Sequence, residues 1–295
     1  MQRYEWKKRD MGITMRLMLC FTVLAVLYFI FLSVLAYVGV GMIPLIFIGG
    51  FFIIMQYLLS DRIVLWSTGA KIVSEYEYPR LHAIVDRLVA RAGLPKPRVA
   101  VMHTDVPNAF ATGKGRRSSV VAVTTGLMRI LNDEELEGVI AHELAHIKNR
   151  DVLAITLASI FSTIAWYVMH YGWYSSYGYR SRDQAGGLIL AIIIAMITWF
   201  VSFLIIRAIS RYREYIADRD GALLTGKPSR LASALMKISG MMSRIPERDL
   251  REVEAMNAFF IIPALSGDTL SRLFSTHPPV EDRIRRLMEM EASMH

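Results

Sequence analysis

The sequence contains a single cysteine among its 295 residues, and that residue, Cys20, stands inside an apolar run. One cysteine cannot form a disulfide within the chain, so a disulfide-stabilised framework is excluded. A zinc site built from cysteine thiolates is excluded as well, because such sites use several of them. Any metal bound by this chain must therefore be held mainly by histidine or carboxylate side chains.

Charged residues are also scarce, at 20% of the chain, whereas hydrophobic residues make up 54%. A mean hydropathy of +0.35 is unusual for a soluble domain, so the composition favours a membrane protein with a water-soluble part. The formal net charge is +8, but no recognised nucleic-acid-binding pattern accompanies it, and we expect no nucleic-acid partner. In a membrane protein, a basic balance more commonly reflects Lys and Arg in cytoplasmic loops.

Four apolar runs approach the roughly 20 residues that cross the hydrocarbon core of a bilayer. The first run is too long for a cleaved signal peptide, and the second follows it almost at once, so we predict a helical hairpin. The third run contains several Thr and Ser residues and is also compatible with a buried helix of a soluble core; its length favours a membrane helix. The runs are Leu17–Val38, Met42–Leu59, Val152–Tyr171 and Gly187–Ile206.

Basic residues predict how these runs are oriented. The connection at 39–41 carries no charge, whereas basic residues precede the first run and follow the fourth. The positive-inside rule then places both termini and the 60–151 segment in the cytoplasm, and the 172–186 loop on the other side. The basic residues are Arg3, Lys7, Lys8, Arg9 and Arg16 before the first run, and Arg207, Arg211 and Arg213 after the fourth.

The segment between the second and third runs has the pattern of a water-soluble domain. Residues 78–92 predict an amphipathic helix, because their apolar side chains recur on one face. Residues 98–102 and 119–124 are β-branched runs and predict strands of a small antiparallel sheet. The stretch Asn108–Ala111 lies between these strands, and we expect it on or near a sheet edge.

A capping-box pattern at 132–135 predicts the start of a helix that nothing interrupts before Val152, so it can run straight into the third apolar run. His142 and His146 are four residues apart on this helix, so both imidazoles project from one face. Two nitrogens placed in this way can bind one tetrahedral zinc ion. Glu143, about 100° around the helix, is then positioned to accept a proton from the attacking water.

A catalytic zinc needs a third protein ligand and one open position. Glu214, on the predicted helix that leaves the fourth run, is the best candidate. Considered alone, Glu214 would be interpreted as a surface glutamate paired with Arg211 or Arg213. The two predicted zinc-binding histidines favour its interpretation as the third ligand. Asp218 is four residues further on the same face, where it can accept the free ring N–H of a zinc-binding histidine.

These residues resemble a known family. The segment His142–His146, together with Glu214 and Asp218 in a Glu-Tyr-x-Ala-Asp pattern, looks like the membrane metallopeptidases of the HtpX and CAAX-protease superfamily. Asn108–Ala111 ahead of the zinc helix and His277–Pro279 near the end of the sequence match the same family. The resemblance covers nearly the whole chain, including the four apolar runs.

The resemblance implies roles for further residues. Glu214 would be the third zinc ligand, and Asp218 would support a ligand without touching the metal. An extended substrate would bind along one strand, and two polar side chains would face the cleaved carbonyl. The strand residues are Asn108, Ala109, Phe110 and Ala111, and the polar pair is His277 and Arg283.

We therefore expect an α+β fold that is mainly helical, with about four transmembrane helices and a cytoplasmic, zincin-like protease domain. The expected division is a transmembrane hairpin at 1–60, a first protease part at 61–151, a second transmembrane pair at 152–209 and a second protease part at 210–295. The expected function is zinc-dependent hydrolysis of protein or peptide substrates, membrane or misfolded proteins among them, with one Zn²⁺ per subunit.

Three other functions remain as alternatives. An intramembrane zinc protease would carry its His-Glu motif inside a span, whereas here acidic residues precede the motif and Lys148 to Arg150 follow it. A prenyl-protein protease of the same superfamily would need more spans, by resemblance, than this chain contains. A non-catalytic scaffold with structural zinc would not need Glu143 and would usually have four protein ligands.

Overall fold

The computed structural model describes residues 10–37, 42–176, 182–244, 261 and 275–294. Two compact units are present: the sheet unit, which contains residues 59–153 and those from 210 onward, and the apolar unit, which contains residues 11–58 and 154–209. The helices are α1 (Met11–Tyr37), α2 (Met42–Thr68), α3 (Pro79–Ala92), α4 (Thr125–Ile130), α5 (Asp133–Asn149), α6 (Asp151–Ser176), α7 (Arg182–Thr225), α8 (Pro228–Met242) and α9 (Val280–Met294). The strands are β1 (Lys71–Ile72), β2 (Arg98–Met102), β3 (Ala109–Thr112) and β4 (Val120–Thr124).

Three helices in the described part of the chain are long and apolar enough to cross a membrane: Met11–Tyr37, Asp151–His170 and Ile189–Thr225. The remaining apolar run is helical within α2. The predicted hairpin turn at 39–41 lies outside the described residues. The predicted loop at 172–186 is shorter than expected, because α6 continues to Ser176 and α7 begins at Arg182.

The apolar unit is held together where small side chains let helices approach closely. In lipid, such packing replaces the hydrophobic effect as the main source of helix association. Tyr28 of α1 donates a hydrogen bond of 2.7 Å to the carbonyl oxygen of Ala158 on α6. One buried cluster of this unit consists of Phe31, Leu35, Ala165, Val168, Ala191 and Ala195.

The sheet of the other unit has the strand order β1-β2-β4-β3. It is mixed rather than wholly antiparallel as predicted, since β2 and β4 run parallel while the two other pairs are antiparallel. The cause is the path of the chain: β3 lies beyond β4 at the far end, so the chain reverses twice between β2 and β4. The predicted edge position of Asn108–Ala111 is confirmed for β3 among the described strands, where it pairs with β4 alone.

Strand β4 is central and buried throughout, as a strand covered on both faces should be. Its alternate side chains belong to two different clusters. Val121 and Val123 face the main core, which α3, α5 and α8 cover, whereas Val120 and Ala122 face a smaller cluster with Phe110. The main core thus fixes α5 against the sheet.

Helix α5 begins as predicted. Asn132 accepts a hydrogen bond of 2.9 Å from the Glu135 amide, and the Glu135 carboxylate accepts one of 3.0 Å from the Asn132 amide, which completes the capping box. Its other end differs from the prediction. The helix stops at Asn149, Arg150 adopts a left-handed conformation with φ of 55°, and α6 starts afresh at Asp151.

Helices α5 and α7 approach each other closely at Gly221. A Cβ atom at this position would stand 2.8 Å from the backbone nitrogen of His142 and 2.9 Å from its Cα. Real Cβ atoms do not come this near to backbone, so glycine is required for the contact. The helix that carries the two histidines is therefore seated directly on the backbone of α7.

We predict that Gly221→Ala destabilises the protein by about 1–3 kcal/mol, because the added methyl group forces α5 and α7 apart. The same shift displaces His142, so zinc affinity should fall together with the melting temperature of the detergent-solubilised protein. Gly240→Ala is the matched control, since nothing lies within 4 Å of a Cβ at Gly240 in α8. Equal melting temperatures and equal zinc affinities for the two variants would contradict the close contact.

Candidate metal centre

His142 and His146 lie one turn apart on α5 and turn the same ring atom toward each other. Their Nε2 atoms are 3.1 Å apart, and the two rings stand edge to face with centroids separated by 4.7 Å. His142 is buried, and the side chain of His146 is 17% exposed. The predicted pairing of these histidines on one helix face is present in the structure.

Glu214 of α7 brings a carboxylate to the same place. Its Oε1 atom lies 3.4 Å from Nε2 of His146, and its Oε2 atom lies 3.6 Å from Nε2 of His142. Among the described residues, these three side chains form the group whose ligand atoms all lie within 4.8 Å of one another. The sequence separation of nearly 70 residues is closed by the contact between α5 and α7.

The three side chains fit a tetrahedral zinc ion. Four ligand atoms at about 2.0–2.1 Å from zinc stand roughly 3.3–3.4 Å from one another. The observed separations of 3.1, 3.4 and 3.6 Å match that spacing. Within the described residues, the buried Oε2 of Glu214 has no hydrogen-bond partner, which is consistent with an atom that binds a metal.

The charges around the histidines favour a cation at the same position. Burial lowers the pKa of His142, but its contacts with Asp218 and Glu214 outweigh burial and raise it to about 9. The pKa of His146 is lowered instead, by burial and by the neighbouring His142, against the pull of Glu214. The carboxylates thus attract positive charge to the ring nitrogens, and the two rings do not both carry a proton easily.

Asp218 and Arg283 support the ligands from behind. Oδ1 of Asp218 lies 3.0 Å from Nδ1 of His142, which leaves Nε2 directed at the metal position. Arg283 donates to both oxygens of Asp218, at 2.8 and 2.7 Å, and to the carbonyl oxygen of Ile261 at 2.6 Å. Its Nη1 atom also stands 3.4 Å from Oε2 of Glu214, so one buried guanidinium joins two of the acidic groups.

His146 has an equivalent support that the sequence did not reveal. Its Nδ1 atom lies 2.6 Å from Oδ2 of Asp151, and Arg213 binds Oδ1 of the same carboxylate and the carbonyl oxygen of Asn149. On an uninterrupted α-helix, a residue five positions after His146 would be rotated by about 500° around the helix axis, which places it about 140° from His146. The break at Arg150 is therefore what brings Asp151 under the imidazole ring. The sequence contained one indication of this support: Asp151 is an acidic residue at the start of an apolar run, where an unpaired carboxylate is energetically costly.

Glu143 is buried beside the two histidines but is not among the ligand atoms that converge. Burial raises the pKa of its carboxyl group, and the histidines partly offset this. A carboxylate with raised proton affinity next to a metal position is suited to take up a proton and to release it again. This is the environment expected for a general base.

His277 lies on the other side of Glu214, with its Nδ1 atom 3.3 Å from Oε2 of that carboxylate. It is buried, and neither ring nitrogen has a hydrogen-bond partner in the described part of the chain. The backbone around it is fixed, because the His277 amide donates to Oγ of Ser275 and that hydroxyl donates to the His277 carbonyl, while Arg211 holds the Ser275 carbonyl. A rigid loop thus places the His277 ring beside the site, with Nδ1 facing Glu214.

The larger side chains at and next to β3 are buried, so the strand presents backbone groups on the side away from β4. Asn108 is buried and its side-chain oxygen accepts from the Ile261 amide at 3.0 Å, while Phe110 packs into the smaller cluster of the sheet. The carbonyl of Asn108 accepts from Thr124, so residues 108, 110 and 112 face β4. The amide and carbonyl groups of Ala109 and Ala111 therefore point away from β4.

A model of peptidase family M48 matches residues 75–291, which include every side chain of this centre. The chain belongs to peptidase family M48. Protease HtpX homolog 2 of Methanosarcina mazei is 52% identical over 98% of this chain and 99% of its own length. The Protease HtpX homolog of Moorella thermoacetica is 52% identical over 97% of this chain and 96% of its own.

Among solved structures, the crystal structure of S. mikatae Ste24p superposes with a TM-score of 0.58 and 18% sequence identity. The match covers 94% of this chain but 65% of the Ste24p chain, and at this identity it shows the fold alone. The M48 model and the full-length relatives confirm the expected enzyme class. This M48 protein is a membrane metalloprotease of the zinc endopeptidase type.

Proposed function

We propose that this protease hydrolyses membrane or misfolded proteins at the cytoplasmic face of the membrane, with one zinc ion per subunit held by His142, His146 and Glu214. The observation that carries the proposal is the convergence of two Nε2 atoms and one carboxylate, at separations of 3.1–3.6 Å, beside a buried glutamate. Zinc bound there supplies Lewis-acid activation of the scissile carbonyl and of the attacking water.

Glu143 is the proposed general base. Because it is not a ligand, its carboxylate remains available to remove a proton from water. Burial raises its proton affinity, so it can retain that proton and deliver it to the leaving amine in the next step. Asp218 and Asp151 keep the two histidines in the tautomer that presents Nε2, and Arg283 and Arg213 hold these carboxylates in place.

Substrates bind as an added strand on β3. Ala109 and Ala111 present the backbone donors and acceptors that an extended peptide needs. Main-chain pairing gives affinity that depends little on sequence, which suits an enzyme acting on unfolded segments of many proteins. Folded substrates lack a free strand to offer, so misfolded chains are favoured for a physical reason.

His277 is the proposed donor to the negative charge that develops on the carbonyl oxygen. Its Nδ1 atom faces Glu214, a proposed metal ligand, and its buried Nε2 atom has no hydrogen-bond partner among the described residues. A preorganised donor of this kind stabilises the transition state and contributes little to substrate binding. Arg283, whose nitrogens contact Asp218, Glu214 and Ile261, acts by positioning rather than by touching the substrate.

The cytoplasmic orientation rests on charge. Basic residues adjoin the ends of the apolar runs on the side of the protease segments, and the uncharged 39–41 connection lies at the opposite end. Lys and Arg are retained in the cytoplasm during insertion. The segments from 60 to 151 and from 210 onward therefore belong on the cytoplasmic side.

We predict that Glu143→Gln lowers the rate of casein cleavage by about 10²–10⁴ while zinc per chain stays unchanged, because glutamine keeps the shape but cannot accept the proton. Glu214→Ala should lose most of its zinc after dialysis, since it removes a ligand. Glu289→Gln on α9, whose side chain is 68% exposed, is the control for both measurements. Full activity of the Glu143 variant at normal zinc content would refute the base assignment.

His277→Ala is expected to lower kcat by about 10²–10³, with KM and zinc content nearly unchanged, because the lost donor acts mainly on the transition state. Steady-state kinetics with a quenched-fluorescent peptide, together with metal analysis, would measure this. His103→Ala is the control, as His103 is exposed in the loop after β2. A wild-type kcat, or a variant that loses its metal, would show that His277 has another role.

The orientation predicts the outcome of reporter fusions. A fusion at the C-terminus should read cytoplasmic, and an insertion between Ser176 and Arg182 should read external, because the apolar stretches of α6 and α7 flank that segment. Paired cytoplasmic and external reporters at each site provide the check. A C-terminus that reads external would overturn the proposed orientation.

A further inference from the structure

Asn108 stands immediately before β3 and is 2% exposed. Both of its main-chain polar groups bind Thr124 of β4: the amide donates to Oγ1 at 2.9 Å, and the carbonyl oxygen accepts from the Thr124 amide at 2.9 Å. The backbone of Asn108 is therefore fixed to the sheet. Its side-chain oxygen accepts a hydrogen bond of 3.0 Å from the amide of Ile261, which lies 153 residues further along the chain.

Ile261 makes a second hydrogen bond through its other main-chain group. Its side chain is 3% exposed and belongs to the main core. Its carbonyl oxygen accepts a hydrogen bond of 2.6 Å from Nη1 of Arg283. Buried main-chain groups need partners because water cannot reach them, so both bonds belong to the stable fold. One residue thus connects Asn108, through its amide, with Arg283, through its carbonyl group.

Arg283 connects this pair to the candidate metal centre. Its Nε and Nη2 atoms donate to Asp218 at 2.8 and 2.7 Å, and its Nη1 atom, which binds Ile261, also stands 3.4 Å from Oε2 of Glu214. The guanidinium is planar and its donors are fixed relative to one another, so a shift at one contact turns the whole group. The Ile261 carbonyl therefore helps to set where Arg283 stands relative to a proposed zinc ligand.

Loss of the Ile261 contact would change what Arg283 binds. A buried donor without an acceptor is costly, so Nη1 would turn to another acceptor nearby. Oε2 of Glu214 is such an acceptor, and it has no hydrogen-bond partner among the described residues. A closer guanidinium would compete with zinc for this oxygen, because both cations are attracted to the same lone pairs. The Ile261 carbonyl thus keeps Nη1 engaged elsewhere.

We propose that Asn108 is a positioning residue of the metal centre, which acts on Arg283 through the main chain of Ile261. With Arg283 held in this way, Oε2 of Glu214 stays available for zinc and Asp218 stays aligned. The inference rests on the proposed function, because it takes Glu214 as a zinc ligand. It gives Asn108 a role that differs from the substrate contact implied by the family resemblance.

The test begins with Asn108→Leu, which has nearly the same shape but lacks the acceptor. Zinc affinity of the full-length, detergent-solubilised protein, measured by competition with a fluorescent chelator, should fall by about ten-fold, at the lower end of the range for residues that support metal ligands. At saturating zinc, KM for a quenched-fluorescent peptide should stay within about two-fold. A raised KM with unchanged zinc affinity would mean that Asn108 contacts the substrate, and would overturn the inference. Asn108→Ala also lacks the acceptor, so it decides the question if the leucine variant does not fold.

A double-mutant cycle with Arg283 separates positioning from general destabilisation. Arg283→Lys keeps a cation but loses the planar guanidinium, so it should lower zinc affinity by about 10–100-fold. In this background, Asn108→Leu should lower zinc affinity by less than about two-fold, because the contact through which it acts is already lost. Equal losses of zinc affinity in the two backgrounds would contradict the proposed path.

Ser233→Ala is the matched control, because it removes one side-chain hydrogen bond from the same unit. Ser233 donates to Glu135 at 2.7 Å, in the first turn of α5 and about two helical turns from His142. Its zinc affinity should equal that of the wild-type protein, and a loss as large as that of Asn108→Leu would overturn the inference. Zinc affinity is measured without turnover, so a wild-type protein that binds zinc but cleaves no peptide would refute the proposed function, and the cycle would still decide the role of Asn108.

Discussion

Burying a carboxylate without a partner costs several kcal/mol, and this protein buries four of them around one point. Glu143, Asp151, Glu214 and Asp218 are each at most 6% exposed. Two arginines and two histidines compensate Asp151 and Asp218 through short contacts, and the same contacts set the direction of each imidazole ring. Glu214 lies 3.4–3.6 Å from His142, His146 and Arg283. Charge compensation and ligand geometry are therefore a single requirement, and α5, α6, α7 and α9 must meet for either to be satisfied.

The helix packing follows from that requirement. Gly221 lets α7 approach the backbone of α5, so Glu214 reaches histidines that are about seventy residues away in the chain. The left-handed Arg150 turns the chain so that Asp151 reaches His146. Each feature is unfavourable for an isolated helix, since glycine weakens a helix and a positive φ strains an arginine, and each is stabilised by the cluster it completes.

At β3, where we propose that substrates bind, backbone hydrogen-bonding groups rather than charged side chains are presented. Strand β3 is the last of the described strands in the sheet, and the side chains of Asn108 and Phe110 turn inward to hold it in place. Backbone amide and carbonyl groups therefore lie in the same unit as the charged side chains of the candidate metal centre. In the proposed function, substrates are selected mainly by their extended conformation, because pairing involves the backbone.

Much of this candidate metal centre could be predicted from local sequence patterns. The histidine pair and Glu143 follow from helical periodicity, and the capping box located the start of their helix, because both depend on residues within a few turns. The apolar runs predicted the long helices for the same reason. Glu214 and Asp218 could be distinguished from ordinary surface carboxylates only with the help of the predicted histidine pair and the family resemblance.

The sequence by itself thus determined the membrane-type composition, the catalytic motif and the positions of most helices, since each depends on neighbours in the chain. Only the tertiary structure decided that β2 and β4 run parallel, that α5 ends at Asn149, and that Asp151 with Arg213 supports His146. These features arise from contacts between distant segments, and periodicity contains no information about which distant charges will meet. Their physical reason is the need of buried charges for partners, which only the folded chain brings together.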